Sequence, residues 1–184
     1  MNKLSLAAIV LAAATLVGCA SPSRTDQMSA QTAPADRIIV TPMTKNVEVR
    51  EVTGGSATNP AWVSKVGNAD FKQALETSLD EAGMLSGAKD AGKFVLVANM
   101  EKLEQPMFGF DMTVTAVVKY TLTERATGKE VMSKVIALPF TATTRDAFVG
   151  MTRLRLANEG AIRVNIRSLI DEIRAVGLAS VAVK

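Results

Sequence analysis

The chain has 184 residues, no histidine and a single cysteine. Without imidazole, neither a Ser-His-Asp nor a Cys-His nucleophilic centre can be assembled, and His-ligated zinc is excluded. The lone Cys19 has no partner for an intrachain disulfide. Aromatic residues are scarce, at 4%, which argues against the stacking platforms that hold single-stranded nucleic acid. The charge excess is small, 21 Lys and Arg against 18 Asp and Glu, so no nucleic-acid partner is expected. No apolar run reaches the roughly 20 residues that cross a bilayer. Carboxylates and hydroxyls remain for acid–base chemistry, but none stands in a motif.

What is present begins at the first residues, "MNKLSLAAIVLAAATLVGCASPS". Lys3 gives a positive start. Leu4 to Val17 is apolar except for Ser5 and Thr15, about the length of a signal-peptide core. Leu16, Val17, Gly18 and Cys19 then resemble the lipobox of bacterial lipoproteins. The resemblance implies cleavage between Gly18 and Cys19, diacylation of the sulfur and acylation of the new amine. A covalent lipid of the palmitate type on Cys19 would then be the only prosthetic group, with no metal and no other cofactor expected. Several acyl chains, at about 0.8 kcal/mol per buried CH₂, anchor a domain to a membrane stably. Ala20 follows the cysteine where an acidic residue would signal otherwise. By resemblance to lipoprotein sorting in enteric bacteria, this implies the outer membrane, facing the periplasm. The competing reading is an ordinary secretory peptide with a chance cysteine, whose free thiol would be a liability in an oxidising compartment.

Three regions follow: a signal peptide over 1–18, the lipidated cysteine and a flexible tether over 19–35, and a single domain over 36–184. The tether, "ASPSRTDQMSAQTAPA", is small, polar and aperiodic, with a reach of about 50 Å when extended. Beyond it, 37–40 and 46–52 read as strands, the second half-polar and suited to an edge. Asn68 is placed to cap a helix with Phe71, Leu75 and Leu79 on one face, ended by Gly83. Phe94, Leu96, Ala98 and Met100 alternate as a strand. Met112, Val114, Ala116, Val118, Tyr120 and Leu122 form one face of the best strand in the chain, opposite a threonine-rich face. A hairpin at Gly128 returns a partner strand with Pro139 near its end. A helix is expected from Asp146 to Ala175, capped by Thr143 or Thr144, with Met151, Leu154, Asn158, Ile162, Ile166, Leu169 and Ile173 on its apolar face. Gly150 and Gly160 soften it or mark close packing. "GLASVAVK" is left as a short strand or loose tail. The order predicts an α+β two-layer sandwich, an antiparallel meander sheet with two helices packed on one face.

Three constellations are candidates for function. Arg155, Glu159, Arg163, Arg167 and Asp171 are four apart, giving a solvated salt-bridged face or an arginine row (Arg155, Arg163, Arg167) for an anionic glycolipid or acidic partner. Asn158 and Asn165 fall in or beside the apolar stripe and need partners for their amides, from the sheet or a nearby loop, or across an interface. "EQPMFGFDM" sets Met107, Phe108 and Phe110 around Pro106 and Gly109. Such a loop either folds onto the core or is presented to an apolar partner or lipid.

"FKQALETSLDEAGML", "VVKYTLTERATGKEV" and "LANEGAIRVNIRSLIDEI" resemble in layout the LPS-assembly lipoprotein family and the auxiliary lipoproteins of ABC-type lipid transport systems. The first family supports an outer-membrane barrel that inserts lipopolysaccharide. The resemblance implies a non-enzymatic, membrane-anchored protein that binds a protein or lipid partner in envelope assembly or lipid transport. An envelope enzyme using carboxylates and a purely structural lipoprotein are the alternatives.

Overall fold

The computed structural model describes residues 20–37, 39–59 and 63–182. Gly18, Cys19 and the apolar run before them lie outside the described residues. The elements are α1 (Thr25–Met28), α2 (Pro34–Arg37), β1 (Val47–Thr53), α3 (Asn68–Glu81), β2 (Phe94–Glu104), β3 (Met112–Glu124), β4 (Glu130–Ala142) and α4 (Gly150–Ala182). The strands form one sheet in the order β1-β2-β3-β4.

β3 sits inside the sheet. Its alternating residues Val114, Ala116, Val118, Tyr120 and Leu122 are all fully buried. Phe71, Leu75 and Leu79 of α3 and Ile162, Ile166, Leu169 and Ile173 of α4 meet them from the helical side. Full burial of each large side chain contributes about 1.5–3 kcal/mol relative to exposure. The two-layer α+β architecture is the one the residue pattern predicts. Gly83 (φ +69°) ends α3, and Gly128 (φ +71°) turns the β3–β4 hairpin.

β2–β3 and β3–β4 are antiparallel, but β1 and β2 are parallel. The meander is therefore broken at its first step, because α3 lies between β1 and β2 and supplies the crossover that parallel neighbours need. Alternation alone does not give strand direction. β1 is an edge, as its half-polar face suggests. A bulge between Val49 and Glu51 turns Val52 inward after Val47 and Val49. β4 is the other edge, which accommodates Pro139.

Four local expectations are corrected. Residues 39 and 40 belong to no strand; Arg37 ends α2, and Ile38 lies outside the described residues. The Asn68 side chain accepts the Gly55 N–H at 2.7 Å instead of capping α3, whose cap is Gly67. α4 starts at Gly150 rather than Asp146 and runs on to Ala182, through the stretch expected as a short strand or loose tail. The stretch assigned to a tether is packed: Met28 and Ala30 are buried in the main core, and Ala30 N–H donates to Ser78 Oγ at 2.9 Å. Its two helices are single turns, too short to carry a periodic signal.

The two asparagines in the apolar stripe are satisfied inside the molecule. Asn165 accepts from the Tyr120 hydroxyl at 2.7 Å and donates to the carbonyls of Ala116 and Ile136, both at 2.9 Å. Burial pushes the Tyr120 phenol far above its ordinary pKa of 10. The unfolded chain ionises this tyrosine near pH 10 and the folded chain does not, so the folded state binds more protons above that pH. Stability from this group is present below pH 10 and falls as pH rises beyond it, by about 1.4 kcal/mol per pH unit. Tyr120 is the only tyrosine. Phenolate absorbance is therefore expected to be absent in the folded protein at pH 11 and to appear together with unfolding; a phenolate signal near pH 10 from folded protein would contradict the buried hydrogen bond.

Candidate functional site

Strand pairing brings two loops to one end of the sheet. Glu104 pairs with Thr115 and Met112 with Ala142. The loops 105–111 and 143–149 therefore leave the sheet side by side, at the end where β1 also runs out at Thr53. Met107 and Phe148 are each 95% exposed, Phe108 85% and Phe110 86%. The methionine–phenylalanine loop is thus presented to solvent, not folded onto the core. Phe148 joins it from the second loop.

These apolar tips stand on ordered supports. Asp146 Oδ2 accepts from the Thr143 N–H at 2.7 Å and the Thr143 hydroxyl at 2.9 Å, which lowers the Asp146 carboxyl pKa below its ordinary value. From beneath, the buried Arg153 donates through Nη1 to the carbonyls of Ala147, at 2.8 Å, and Phe148, at 2.6 Å. The residue before the other apolar tip, Gln105, is fixed three ways. It accepts from Lys65 Nζ at 2.8 Å, and its amide donates to the Ser64 carbonyl at 2.8 Å and to Asn158 Oδ1 at 2.7 Å. Asn158 also donates to the Ser64 carbonyl at 3.1 Å, so the bland expectation for this amide, bonding to an adjacent loop, is what the fold uses. A groove of about 460 Å³ opens here, lined by Leu103, Pro106, Met107, Met112, Met151 and Leu154 among others.

The described chain also begins at this end. Ser64 Oγ donates to the Ser21 carbonyl at 2.7 Å, and Ser23 N–H donates to the Lys65 carbonyl at 3.3 Å. From Ala20 the segment runs along α4 toward the far end. Arg24 bonds Glu159 through its backbone N–H (2.9 Å) and Nε (3.3 Å), and Arg163 Nη1 donates to the Gln27 carbonyl at 2.5 Å. Thr41 then lies against Gly177.

That course changes the reading of the arginine ladder. Glu159 is 1% exposed, covered by the segment, with Arg24 and Arg155 paired to it. The hydrogen bond to Glu159, and then its charge, hold the Arg24 guanidinium pKa above the ordinary value. Arg163 is held by Gln27 and stacks over the Phe140 ring at 5.5 Å. Of the three candidate arginines only Arg167 is exposed. The ladder is a seam to the chain's own N-terminal segment, and it stays apart from the apolar loops.

Other concave regions carry paired charges. The cavity along β1 is lined by Glu48, Glu76 and Asp90 with Arg50, Lys72 and Lys89, but Glu48 and Asp90 are both bonded to Arg125. The two carboxyls held below their ordinary pKa, Asp26 and Asp146, are surface groups bonded to Gln27 and Thr143. Among the described residues, no three His, Cys, Asp or Glu side chains come together to hold a metal ion, and no helix is long and apolar enough to cross a membrane.

The sequence pattern singles out Met107, Phe108 and Phe110 but puts Phe148 inside the last helix. The signal available was Gly150, a poor interior helix residue and an acceptable start, which leaves Phe148 in the loop.

The fold defined by this sheet and its two long helices recurs in solved bacterial proteins. The chain superposes on XCC0632 of Xanthomonas campestris, of family DUF330, with a TM-score of 0.60 and 12% identity over 83% of this chain and 95% of that one. It also superposes on a candidate lipoprotein of Caulobacter crescentus with a TM-score of 0.52 and 11% identity, over 78% and 95% of the two chains. No family model and no curated protein matches it by sequence. At these identities the likeness is one of fold.

Proposed function

We propose that this chain is a non-enzymatic envelope lipoprotein, acylated on Cys19 and held on the periplasmic side of the outer membrane, that binds a protein or lipid partner in envelope assembly or lipid transport. The observation that carries the reading is the junction at the cysteine. Leu16 to Cys19 matches a lipobox, and Ala20, the next residue, is already 5% exposed and part of the fold. A lipid on Cys19 would therefore sit directly against a folded domain. The Caulobacter crescentus protein of the same fold, itself a candidate lipoprotein, supports this assignment. For a protein partner, β4 offers an unpaired edge along Glu130–Ala142, with Val135 56% exposed; such an edge can accept an added strand.

The test is metabolic labelling with a clickable palmitate analogue in a Gram-negative host, followed by membrane fractionation. The full chain is expected to carry the label and to sediment with outer membranes. Cys19→Ser is expected to lose the label and appear in the soluble periplasmic fraction. A Cys19→Ser protein that stays membrane-bound in high salt overturns the anchor.

A further inference from the structure

We infer that the end bearing Met107, Phe108, Phe110 and Phe148 is a membrane-insertion face, which enters the same bilayer as the lipid on Cys19 and seats the domain on the membrane in one orientation. The inference rests on acylation of Cys19 as proposed above, and adds to it which part of the fold touches lipid.

Position is the first argument. The hydrogen-bonded path from the N-terminal residues to the apolar tips is short: Ser21 to Ser64, Ser64 to Gln105, then Pro106 and Met107. Cys19 is two residues before Ser21, and consecutive Cα atoms are about 3.8 Å apart. Its acyl chains therefore start beside these loops. The packed course of residues 20–30 along α4 removes the slack that would let the domain turn away.

The second argument separates the two ends of the molecule. The far end also exposes apolar side chains, Val40 at 80%, Leu178 at 48% and Val181 at 53%. Between the ends runs α4, with 33 residues, about 50 Å at 1.5 Å per residue. One flat bilayer cannot meet both ends, and the anchor residue selects the aromatic one.

Chemistry is the third argument. Three phenylalanines and a methionine occupy two separate loops, all at least 85% exposed, although the chain has only six phenylalanines in total. The Phe148 loop is held by Asp146 and Arg153, and the start of the other by Gln105, so the backbone beside the tips is fixed with the rings outward. Asp111, Arg145 and Asp146 flank the tips and nearly balance in charge. They confine entry to the interfacial depth and make apolar burial, not attraction to anionic headgroups, the source of affinity.

The test uses the acylated full chain on vesicles of phosphatidylethanolamine and phosphatidylglycerol. Met107→Cys and Ala126→Cys each add one free thiol for an environment-sensitive fluorophore, because the acylated Cys19 is blocked; Ala126 lies in the hairpin at the opposite end. Doxyl-labelled lipid is expected to quench the label at 107 about tenfold more strongly than the label at 126. Adding Phe108→Ser, Phe110→Ser and Phe148→Ser is expected to bring the 107 label down to the level of 126 while the protein stays vesicle-bound. Equal, weak quenching at both sites in vesicle-bound protein overturns the insertion face and leaves the lipoprotein reading standing. A 107 label shielded from water but not quenched by lipid, in self-associated protein, overturns it in favour of a face between copies. Acylated protein that does not bind vesicles at all defeats the lipoprotein reading and the inference with it.

Discussion

Asn165→Ala is expected to lower the unfolding free energy by about 4–6 kcal/mol, a large part of the 5–15 kcal/mol that holds a typical domain together. The single amide serves three groups from α4: the Tyr120 hydroxyl on β3 and the carbonyls of Ala116 on β3 and Ile136 on β4. Each lost bond costs about 1 kcal/mol, and the Tyr120 hydroxyl is then left without an acceptor in a site closed to water, adding about 1–3 kcal/mol. Tyr120→Phe removes only one of the three bonds and should cost about 1–2 kcal/mol. Combining it with Asn165→Ala should cost less than the sum of the two, because the orphaned hydroxyl is gone. Urea unfolding of the four proteins measures this. An Asn165→Ala protein within about 1 kcal/mol of its parent would mean that the amide is not the bond between helix and sheet described here.

Gly54→Ala should be nearly as damaging, for a steric reason. Gly54 follows β1 at φ +81°, where a side chain costs about 1–2 kcal/mol. A Cβ there would also lie 2.0 Å from the Met100 carbonyl oxygen. Met100 sits at the bulge of β2, so the clash falls on ladder backbone and cannot be relieved by rotating a side chain. A loss above about 3 kcal/mol in thermal or urea unfolding is expected. Gly128→Ala is the control, since φ is +71° but nothing lies within 4 Å of the added carbon. It should show only the conformational cost, about 1–2 kcal/mol. Equal losses at the two glycines would remove the steric account.

The regular parts of the fold were legible because their burial is periodic. Alternation over Met112–Leu122 and the helical stripe from Leu154 to Ile173 each report a single buried face, and both faces are buried as read. Strand direction was not legible, since the same alternation serves parallel and antiparallel neighbours. The packed N-terminal segment was missed because it is held by isolated contacts: Met28 in the core, Ala30 on Ser78, Arg24 on Glu159. None of these leaves a pattern in a short window, and the composition around them is that of a linker. Of the candidate site, Met107, Phe108 and Phe110 could be read from their clustering beside turn residues. Phe148 could not, since its role depends on where α4 begins. The burial of Glu159 is not legible either, because a charge at helical spacing says nothing about a segment of chain laid over it.

The contact between Arg24 and Glu159 spans 135 residues of sequence. Synthesis proceeds from the N-terminus, so Arg24 and its neighbours are made long before the helix face that receives them. Contacts of such long range form late, after the loop between them has closed. Until α4 has been made and has docked on the sheet, residues 20–30 have no seam to lie in and stay accessible. Closure of the seam then marks the moment when the whole chain is present and folded.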